Sequence, residues 1–362
     1  MPKRPRVNID TKNESPIMLL TLRSRLVAAL ILIASGALPW AHSFLSGEEP
    51  RDGRSRQDRF TLKPDLFPAL TEPPCSYCST QNRKGLILPD DRVLAWIRAS
   101  HNGGAVPLRH FLSGPRVIND TYGLFFYDPD GGYVAAFRKD YGYRFHGWRN
   151  GVMIVRAKDG TLYSALTGIA FDGPGKGQKL QRIPSLLTDW NYWLMLHPES
   201  TAYDLFDGRK YPVVPLPKEM SEEAKASLGR QDPRREATTE ILGVESATES
   251  VAFELPVSKE RACMLDRVGE QPIAVFWYGP TRTAIAFHCM LDDRQLTFEA
   301  DEISPESAPF KDKETGTRWT LAGRAVDGPL RGRELTWVDS IQCRWYAWSA
   351  EYPQTRLVTA GD

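Results

Sequence analysis

The feature that most constrains this chain is an internal duplication, in which one stretch of sequence returns 155 positions later. Residues 168–198 align with residues 323–353 without a gap. Identical pairs include Gly168/Gly323, Ala170/Ala325, Asp172/Asp327, Gly173/Gly328, Pro174/Pro329, Gly177/Gly332, Leu180/Leu335, Trp190/Trp345, Trp193/Trp348 and Pro198/Pro353. Two long units do not make a solenoid, so the duplication predicts two similar subdomains related by a pseudo-two-fold.

Each unit is predicted to consist of strands first and one short helix last. Hairpins are indicated at residues 93–98 with 105–109 and at 240–245 with 250–255. Apolar, aromatic and β-branched runs at 124–127 and 273–278 predict buried strands. An Asp-Gly-Pro turn follows in both units, at Asp172 and Asp327. The predicted fold class is mainly β (α+β), with two tandem β-rich repeats.

The helix that ends each repeat carries a Trp-x-x-Trp motif. We expect the helices to start at Thr188 and Ser340 and to end at Pro198 and Pro353. The tryptophans and the aromatic or apolar residues after them recur at helical spacing, which places them on one face. Such a face is usually buried in the core, and an aromatic platform for sugar rings is the alternative.

The N-terminus is predicted to be an export segment. Basic side chains precede an apolar run at residues 26–38, and small residues at Ala41 and Ser43 fit a secretory cleavage site. A helix over this run covers only about 20 Å, which is short of a hydrocarbon core of ~30 Å. We therefore expect a cleaved signal peptide. Alternatives are a hydrophobic membrane anchor at residues 19–41 and a buried core helix.

The export segment places the rest of the chain outside the cytoplasm, and composition indicates that it folds. The 362 residues are 41% hydrophobic and 25% charged, which excludes a disordered chain and a protein with many membrane spans. A formal net charge of +1 gives no reason to expect binding to nucleic acid. We predict a signal peptide or anchor at 1–43, a polar proline-rich tether at 44–88, repeats at 89–205 and 237–358, and a linker at 206–236 with a helix near 221–228.

These motifs carry a resemblance to a known family. The pattern T-G-x-x-W…G-R-A-x-D-G-P-L-x-G-x-x-L…W-x-x-W…P-x-T, over residues 315–355, resembles a bacterial family known as domain of unknown function 3179. The first repeat is similar to it as well, and the resemblance covers residues 92–358. It implies no activity. Many members have a Cys-Pro-Leu-Cys segment where this chain has Tyr-Asp-Pro-Asp at 127–130 and Tyr-Gly-Pro-Thr at 278–281.

Two cysteine-containing motifs are candidates for a disulfide or a metal site. Cys75 and Cys78 form a C-x-x-C motif, for which a disulfide is expected in an oxidising compartment, with metal binding and thiol redox chemistry as alternatives. His288 and Cys289 precede Asp292-Asp293, so that nitrogen, sulfur and oxygen ligands are close in sequence. The first repeat lacks this feature, which favours a strand end followed by a turn. No cofactor is evident.

The remaining candidates for a binding site are isolated polar and aromatic residues. Asp120 is a candidate acid or base, with turn capping as the alternative. His110 and His146 lie among aromatics, where packing is their usual role, and Trp190 and Trp345 are the candidate platforms.

Together these features predict an exported, non-enzymatic module of the cell envelope that binds a ligand in the cleft between the repeats. Its partner is a small ligand, a glycan or an envelope protein. The alternatives are an exported metal- or thiol-dependent enzyme or redox protein, and a carbohydrate-binding envelope protein. None of the usual hydrolase, metalloprotease or nucleotide-binding motifs occurs in the sequence.

Overall fold

Strands make up most of the ordered structure in the computed structural model, which describes residues 57–97, 103–111, 114–138, 140, 142–205 and 219–359. The mainly β fold class is confirmed. The predicted export segment at 1–43 lies outside the described residues. Within the described ranges, no helix combines the length and the apolar character needed to cross a membrane.

Three short strands and a helix precede the first repeat. They are β1 (Phe60–Leu62), β2 (Leu70–Thr71), β3 (Cys75–Tyr77) and α1 (Cys78–Lys84).

The first repeat contains eleven strands and the helix α2 (Trp190–Leu196). Its strands are β4 (Arg92–Ile97), β5 (Gly103–Pro107), β6 (Arg116–Asp120), β7 (Gly123–Asp128), β8 (Tyr133–Phe137), β9 (Arg144–Arg149), β10 (Val152–Arg156), β11 (Leu162–Ser164), β12 (Ala170–Asp172), β13 (Ser185–Asp189) and β14 (Thr201–Tyr203). The helix expected near 221–228 follows as α3 (Glu222–Ala226), capped by the Ser221 hydroxyl.

The second repeat contains twelve strands and the helix α4 (Trp345–Glu351). Its strands are β15 (Glu240–Glu245), β16 (Ser250–Glu254), β17 (Arg261–Val268), β18 (Gln271–Tyr278), β19 (Thr283–His288), β20 (Met290–Leu291), β21 (Arg294–Gln295), β22 (Phe298–Ala300), β23 (Phe310–Asp312), β24 (Arg318–Trp319), β25 (Ser340–Arg344) and β26 (Arg356–Val358).

The two repeats share the same three sheets. The hairpin sheet has the strand order β13-β4-β5-β14 in the first repeat and β25-β15-β16-β26 in the second. In both, the last strand pairs in parallel and the others are antiparallel. A meander, β6-β7-β8 or β17-β18-β19, forms the second sheet, and β9-β10-β11 or β22-β23-β24 the third. The duplication in the sequence is therefore a duplication of topology.

The described part of the segment expected to be a tether, residues 57–88, contributes strands to the fold. Its strands β1, β2 and β3 pair with β9, β6 and β14, so that each sheet of the first repeat gains one strand. These strands are only two or three residues long. Sequence periodicity cannot reveal them, because their stability comes from backbone pairing with strands already in place.

The two Trp-x-x-Trp helices begin later than predicted. Thr188 and Ser340, the expected start positions, lie in β13 and β25, which run directly into α2 and α4. In both repeats the second tryptophan donates its indole N–H to a hydroxyl seven residues later, Trp193 to Ser200 and Trp348 to Thr355, each at 2.9 Å. The second tryptophans of the two motifs therefore occupy equivalent environments.

Each repeat completes the hydrophobic core of the other. The hairpin sheet and helix of the first repeat pack on the meander and third sheet of the second, in a core that includes Val93, Ala95, Trp190, Trp193, Phe276, Phe287, Phe310 and Trp319. The reverse arrangement forms the other shared core, which includes Phe126, Phe137, Phe145, Trp148, Ile241, Trp345, Tyr346 and Trp348.

The opposite face of each hairpin sheet packs on the meander of its own repeat. Leu94 and Trp96 lie in one such core and Leu242 and Val244 in the other. Successive side chains of a strand point to opposite faces, so alternate residues of one strand serve two cores. Because both faces of each hairpin sheet are buried, neither repeat has a closed core without its partner repeat.

Candidate functional site

A cleft of about 470 Å³ opens where the two repeats meet. Residues 179–185, which lead into β13, form one wall, and residues 337–340, which lead into β25, form the other. The two walls occupy equivalent positions, because Ser185 and Ser340 are separated by the repeat offset of 155. The cleft is therefore the place where the pseudo-symmetric halves face each other.

Backbone bridges to the meanders fix both walls. Arg182 bridges to Phe137 at the end of β8, and Trp337 bridges to Phe287 in β19. Gly168 and Gly323 make equivalent close approaches to these two phenylalanines, where an added Cβ atom would lie 2.5 and 2.4 Å from the ring. Both glycines have positive φ, so no other residue fits these turns easily. Equivalent backbone contacts therefore anchor the two walls to the meanders.

Arg182 and Asp339 join the two walls through an ion pair of 3.1 Å. The Arg182 guanidinium is held in place, because it also lies over the Phe137 ring at 5.0 Å and donates to the Leu166 carbonyl. Asp339 keeps 44% of its side chain exposed. Burial raises the pKa of Asp339, and the cations of Arg182 and Lys179 oppose this shift. The Asp339 carboxylate is thus a positioned acceptor with an edge open to the cleft.

Apolar side chains and a second ion pair complete the lining of the cleft. Lys179 pairs with Glu245 at 2.6 Å, and Glu245 also accepts from the Tyr352 hydroxyl at 2.8 Å. Leu180, Ile183, Pro184, Trp337 and Val338 supply the apolar surface. The cleft has the size and the mixed chemistry that are typical of a small-molecule site.

The last residue of β7, next to the loop that follows, carries a buried carboxyl group. Asp128 is fully buried and accepts backbone N–H bonds from Asp130 at 3.0 Å, Gly131 at 3.2 Å and Met153 at 3.3 Å. Burial and the neighbouring Asp130 raise the pKa of Asp128 to about 7. Because solvent does not reach this carboxyl group, its role is to shape the loop.

Both meander loops contact the hairpin sheet of the other repeat. The Asp130 carbonyl accepts from Arg344, at the end of β25, at 3.0 Å. In the second repeat the Thr281 and Arg282 carbonyls accept from Arg92, at the start of β4. The sequence resemblance aligns these loops with the Cys-Pro-Leu-Cys segment that many members of the similar family have. In this chain they serve as contacts between the repeats.

The family model described as protein of unknown function (DUF3179) matches residues 64–355. The chain belongs to this family. The match begins inside the segment expected to be a tether, in agreement with the strands that the DUF3179 chain forms there. Comparisons with curated proteins and with solved structures gave no match.

The indoles considered as platforms are buried in this DUF3179 protein. Trp190 and Trp345 are both 0% exposed. Trp345 donates its N–H to the Asp232 carbonyl at 3.1 Å and lies under the Arg234 guanidinium at 5.0 Å. Neither ring is available to a sugar, because both lie in the cores shared by the repeats. In this structure both indoles are core residues.

Asp120 and His110 also lie away from the cleft. Asp120 is 2% exposed, and its carboxylate accepts the backbone N–H of Tyr122 at 3.1 Å, which is the turn-capping role. His110 lies in a buried 3₁₀ turn, where burial and the neighbouring Arg109 lower its pKa. His146 lies in a separate groove formed by the segment after β1 and by parts of β9 and β10. The cleft gathers none of these residues.

The five cysteines are free thiols, so the expected disulfide is not formed in this structure. Cys75 is exposed on β3, whereas Cys78 is buried at the start of α1. Burial raises the pKa of the Cys78 thiol to about 12. The local reason is the direct passage from strand to helix, which turns one thiol outward and packs the other into a core.

The second cysteine motif is the end of a strand followed by a turn. His288 ends β19, and Cys289 is buried, with burial raising the pKa of its thiol to about 12. Asp292 lies in the tight turn between β20 and β21 and pairs with Arg333 at 2.6 Å. In the part of the chain that the structure describes, no group of three or more His, Cys, Asp or Glu side chains is placed to hold a metal ion.

Sequence reasoning missed the residues that line the cleft. Arg182, Trp337 and Asp339 belong to no short motif, and the cleft forms only when two distant segments meet. The repeat offset of 155 positions could have pointed to these residues, because it aligns residues 179–185 with 334–340. Both segments come just before a Trp-x-x-Trp helix.

Proposed function

We propose that this DUF3179 protein is a binding protein and that its ligand occupies the cleft between the repeats. One observation carries the proposal: two equivalent segments converge on a cavity of about 470 Å³ that has both apolar walls and fixed charges. The volume suits a molecule of a few hundred daltons. Its apolar part would lie against Trp337 and Leu180, and its polar groups would bond to Asp339 and Lys179.

Two further features support binding rather than catalysis. The charged groups of the cleft are already paired, Arg182 with Asp339 and Lys179 with Glu245, which suits recognition of polar groups. The buried titratable group Asp128 lies outside the cleft lining. The carbohydrate alternative loses its support, because it relied on exposed indoles.

We also propose that the protein works outside the cytoplasm, as the basic flank and the apolar run at 26–38 suggest. Fusion of a reporter phosphatase that folds only in an oxidising compartment to the C-terminus tests this. An active fusion that becomes inactive when residues 1–43 are deleted is the expected result. An equally active fusion without these residues would contradict it.

A ligand screen tests the binding proposal. The intact protein is screened by thermal unfolding against a panel of small metabolites, and each compound that raises Tm is titrated. Trp337→Ala should weaken binding of a cleft ligand by roughly tenfold or more, because it removes a large apolar contact. Tyr77→Ala, an aromatic truncation at a residue 64% exposed on β3, should leave the affinity unchanged. Hits that are insensitive to Trp337→Ala would contradict the proposal.

A further inference from the structure

A basic groove lies on the first repeat, apart from the cleft. It consists of two adjoining cavities of about 320 and 730 Å³, which share Asp65, Gly142, Arg144 and Lys158 as lining residues. Arg156 and His146 line the first cavity as well. Asp65 is the one acidic residue among the lining residues.

The strand register places two of these cations directly opposite each other. Arg144 on β9 pairs with Arg156 on β10 in an antiparallel register. Like charges directly opposite each other destabilise a sheet. Both side chains are exposed, so the repulsion is softened by water but is not removed.

The second repeat has opposite charges at the same place. At the repeat offset of 155, Arg144 corresponds to Glu299 and Arg156 to Lys311, and these two residues are opposite each other in β22 and β23. Glu299 also pairs with Lys313 at 3.7 Å. The first repeat therefore has a cation where the second has the neutralising carboxylate.

The cations of the groove have no ion-pair partner among the described residues. Arg144, Arg156 and Lys158 form none of the ion pairs that the described ranges contain, whereas Arg149, on the same strand as Arg144, pairs with Glu351 at 2.9 Å. Gly142 lets the Lys158 chain lie close, since an added Cβ would be 2.4 Å from its methylene carbons. The Lys158 methylene chain therefore lies against the backbone at Gly142.

We propose that this groove binds the phosphoryl group of a small phosphorylated molecule. Three cations and one carboxylate leave two positive charges, which match a phosphate dianion. Guanidinium groups bind phosphate oxygens through paired N–H donors, and His146 adds another polar contact. The cavities are larger than a phosphate ion, so a phosphate monoester fits better than inorganic phosphate alone.

Calorimetric titration of the full chain at low ionic strength tests this proposal, with inorganic phosphate and glycerol phosphate as the two probes. Saturable binding of glycerol phosphate is expected, and it should weaken as salt is added. Tighter binding of the monoester indicates an organic phosphate, and equal binding indicates free phosphate. Absence of saturable binding for both probes would overturn the proposal.

Matched variants locate the binding. Arg144→Glu recreates the charges of the second repeat and should weaken phosphate binding by about tenfold to a hundredfold, because it replaces a charge-assisted donor with a repelling carboxylate. Arg331→Glu makes the same change of charge at an exposed residue of the second repeat and should alter affinity by less than twofold. Equal losses of phosphate affinity in both variants would mean that binding depends only on the net charge of the protein. That result would contradict a phosphate site in the groove.

A stability measurement gives an independent check. Without phosphate, Arg144→Glu should have a higher Tm than the natural protein, because it turns a repulsive cross-strand pair into an attractive one. Added phosphate should raise the Tm of the natural protein and leave that of Arg144→Glu unchanged. A lower Tm for Arg144→Glu without phosphate would contradict the strand register on which the proposal depends. Trp337→Ala should leave the affinity for phosphate unchanged, which separates this groove from the cleft.

Discussion

The carboxyl group of Asp128 is held by backbone N–H groups in a loop that water does not reach. Its pKa is raised to about 7, mainly by burial and next by Asp130. An aspartate in the unfolded chain has a pKa of about 3.9. Between these values the folded protein keeps a proton that the unfolded chain has released. Asp128 therefore lowers the free energy of unfolding as pH rises from about 4 to about 7.

Asp128→Asn should remove this pH dependence, because an amide does not titrate. In the natural protein this group changes the free energy of unfolding by up to about 1.4 kcal/mol per pH unit, and the variant should lack that change. Urea unfolding of both proteins between pH 4.5 and 8 measures the difference. Asp172→Asn, which alters an exposed turn carboxylate, is the control and should keep the natural profile. An unchanged slope in Asp128→Asn would refute the assignment.

His197 produces the opposite dependence in an overlapping pH range. Its ring packs on Trp193 at 4.2 Å, and burial, aided by Arg324, lowers its pKa to about 4. Because the unfolded histidine takes up a proton below about pH 6.5, stability falls as pH decreases from about 6.5 to about 4. The natural protein shows only the sum of this effect and that of Asp128, so each effect is visible only in a variant.

His197→Phe should raise the stability at pH 5 relative to that at pH 7, compared with the natural protein, because the phenyl ring takes up no proton and only the opposite effect of Asp128 remains. The ring should keep the contact with Trp193. Thermal unfolding at pH 5 and pH 7 gives the comparison. Tyr352→Phe is the matched control, since Tyr352 packs on Trp348 at 4.3 Å in the second repeat. It should lower Tm by a similar amount at both pH values, because it removes the bond to Glu245. If both variants changed the pH profile alike, His197 would not be the titrating group.

At the scale of elements, each Trp-x-x-Trp helix is tied to the strand that follows it. The Trp193 N–H bonds to Ser200 and the Trp348 N–H to Thr355, and all four side chains are buried. This bond joins α2 to β14 and α4 to β26. The same bond at the same spacing indicates that the two junctions are equivalent.

Ser200→Ala and Thr355→Val should each lower the free energy of unfolding by about 1–3 kcal/mol, because each leaves a buried indole N–H without its acceptor. Urea unfolding at pH 7 measures both changes. Thr336→Val, at an exposed position, is expected to have little effect. A large loss in one repeat and none in the other would show that the junctions are not equivalent.

The sequence alone was sufficient to predict those strands and hairpins that have a strong local pattern of apolar and β-branched residues. The hairpin β15–β16 and the strands β7 and β18 lie where apolar and β-branched residues predicted them. Helix starts were misplaced, because Ser340 begins a strand that pairs with β15 and no local signal records that pairing. The cleft and the basic groove could not be predicted, since both depend on strand register and on contacts between distant segments.

At the scale of the whole molecule, the repeats are interdependent. Each hairpin sheet contributes one face to the core of its own repeat and the other face to the core of the partner repeat. Loss of either repeat would expose one face of the remaining hairpin sheet to water. This arrangement also creates the cleft, because the segments that form its walls lie where the halves meet.

Native-state hydrogen exchange of the intact chain, followed in increasing urea, tests this interdependence most directly. Amides of β7 in the first meander and β18 in the second should exchange through the same global opening, with equal free energies and equal dependence on urea. Exchange of one meander at a clearly lower free energy, while the other stays protected, would show that the halves are independent domains and would contradict the account.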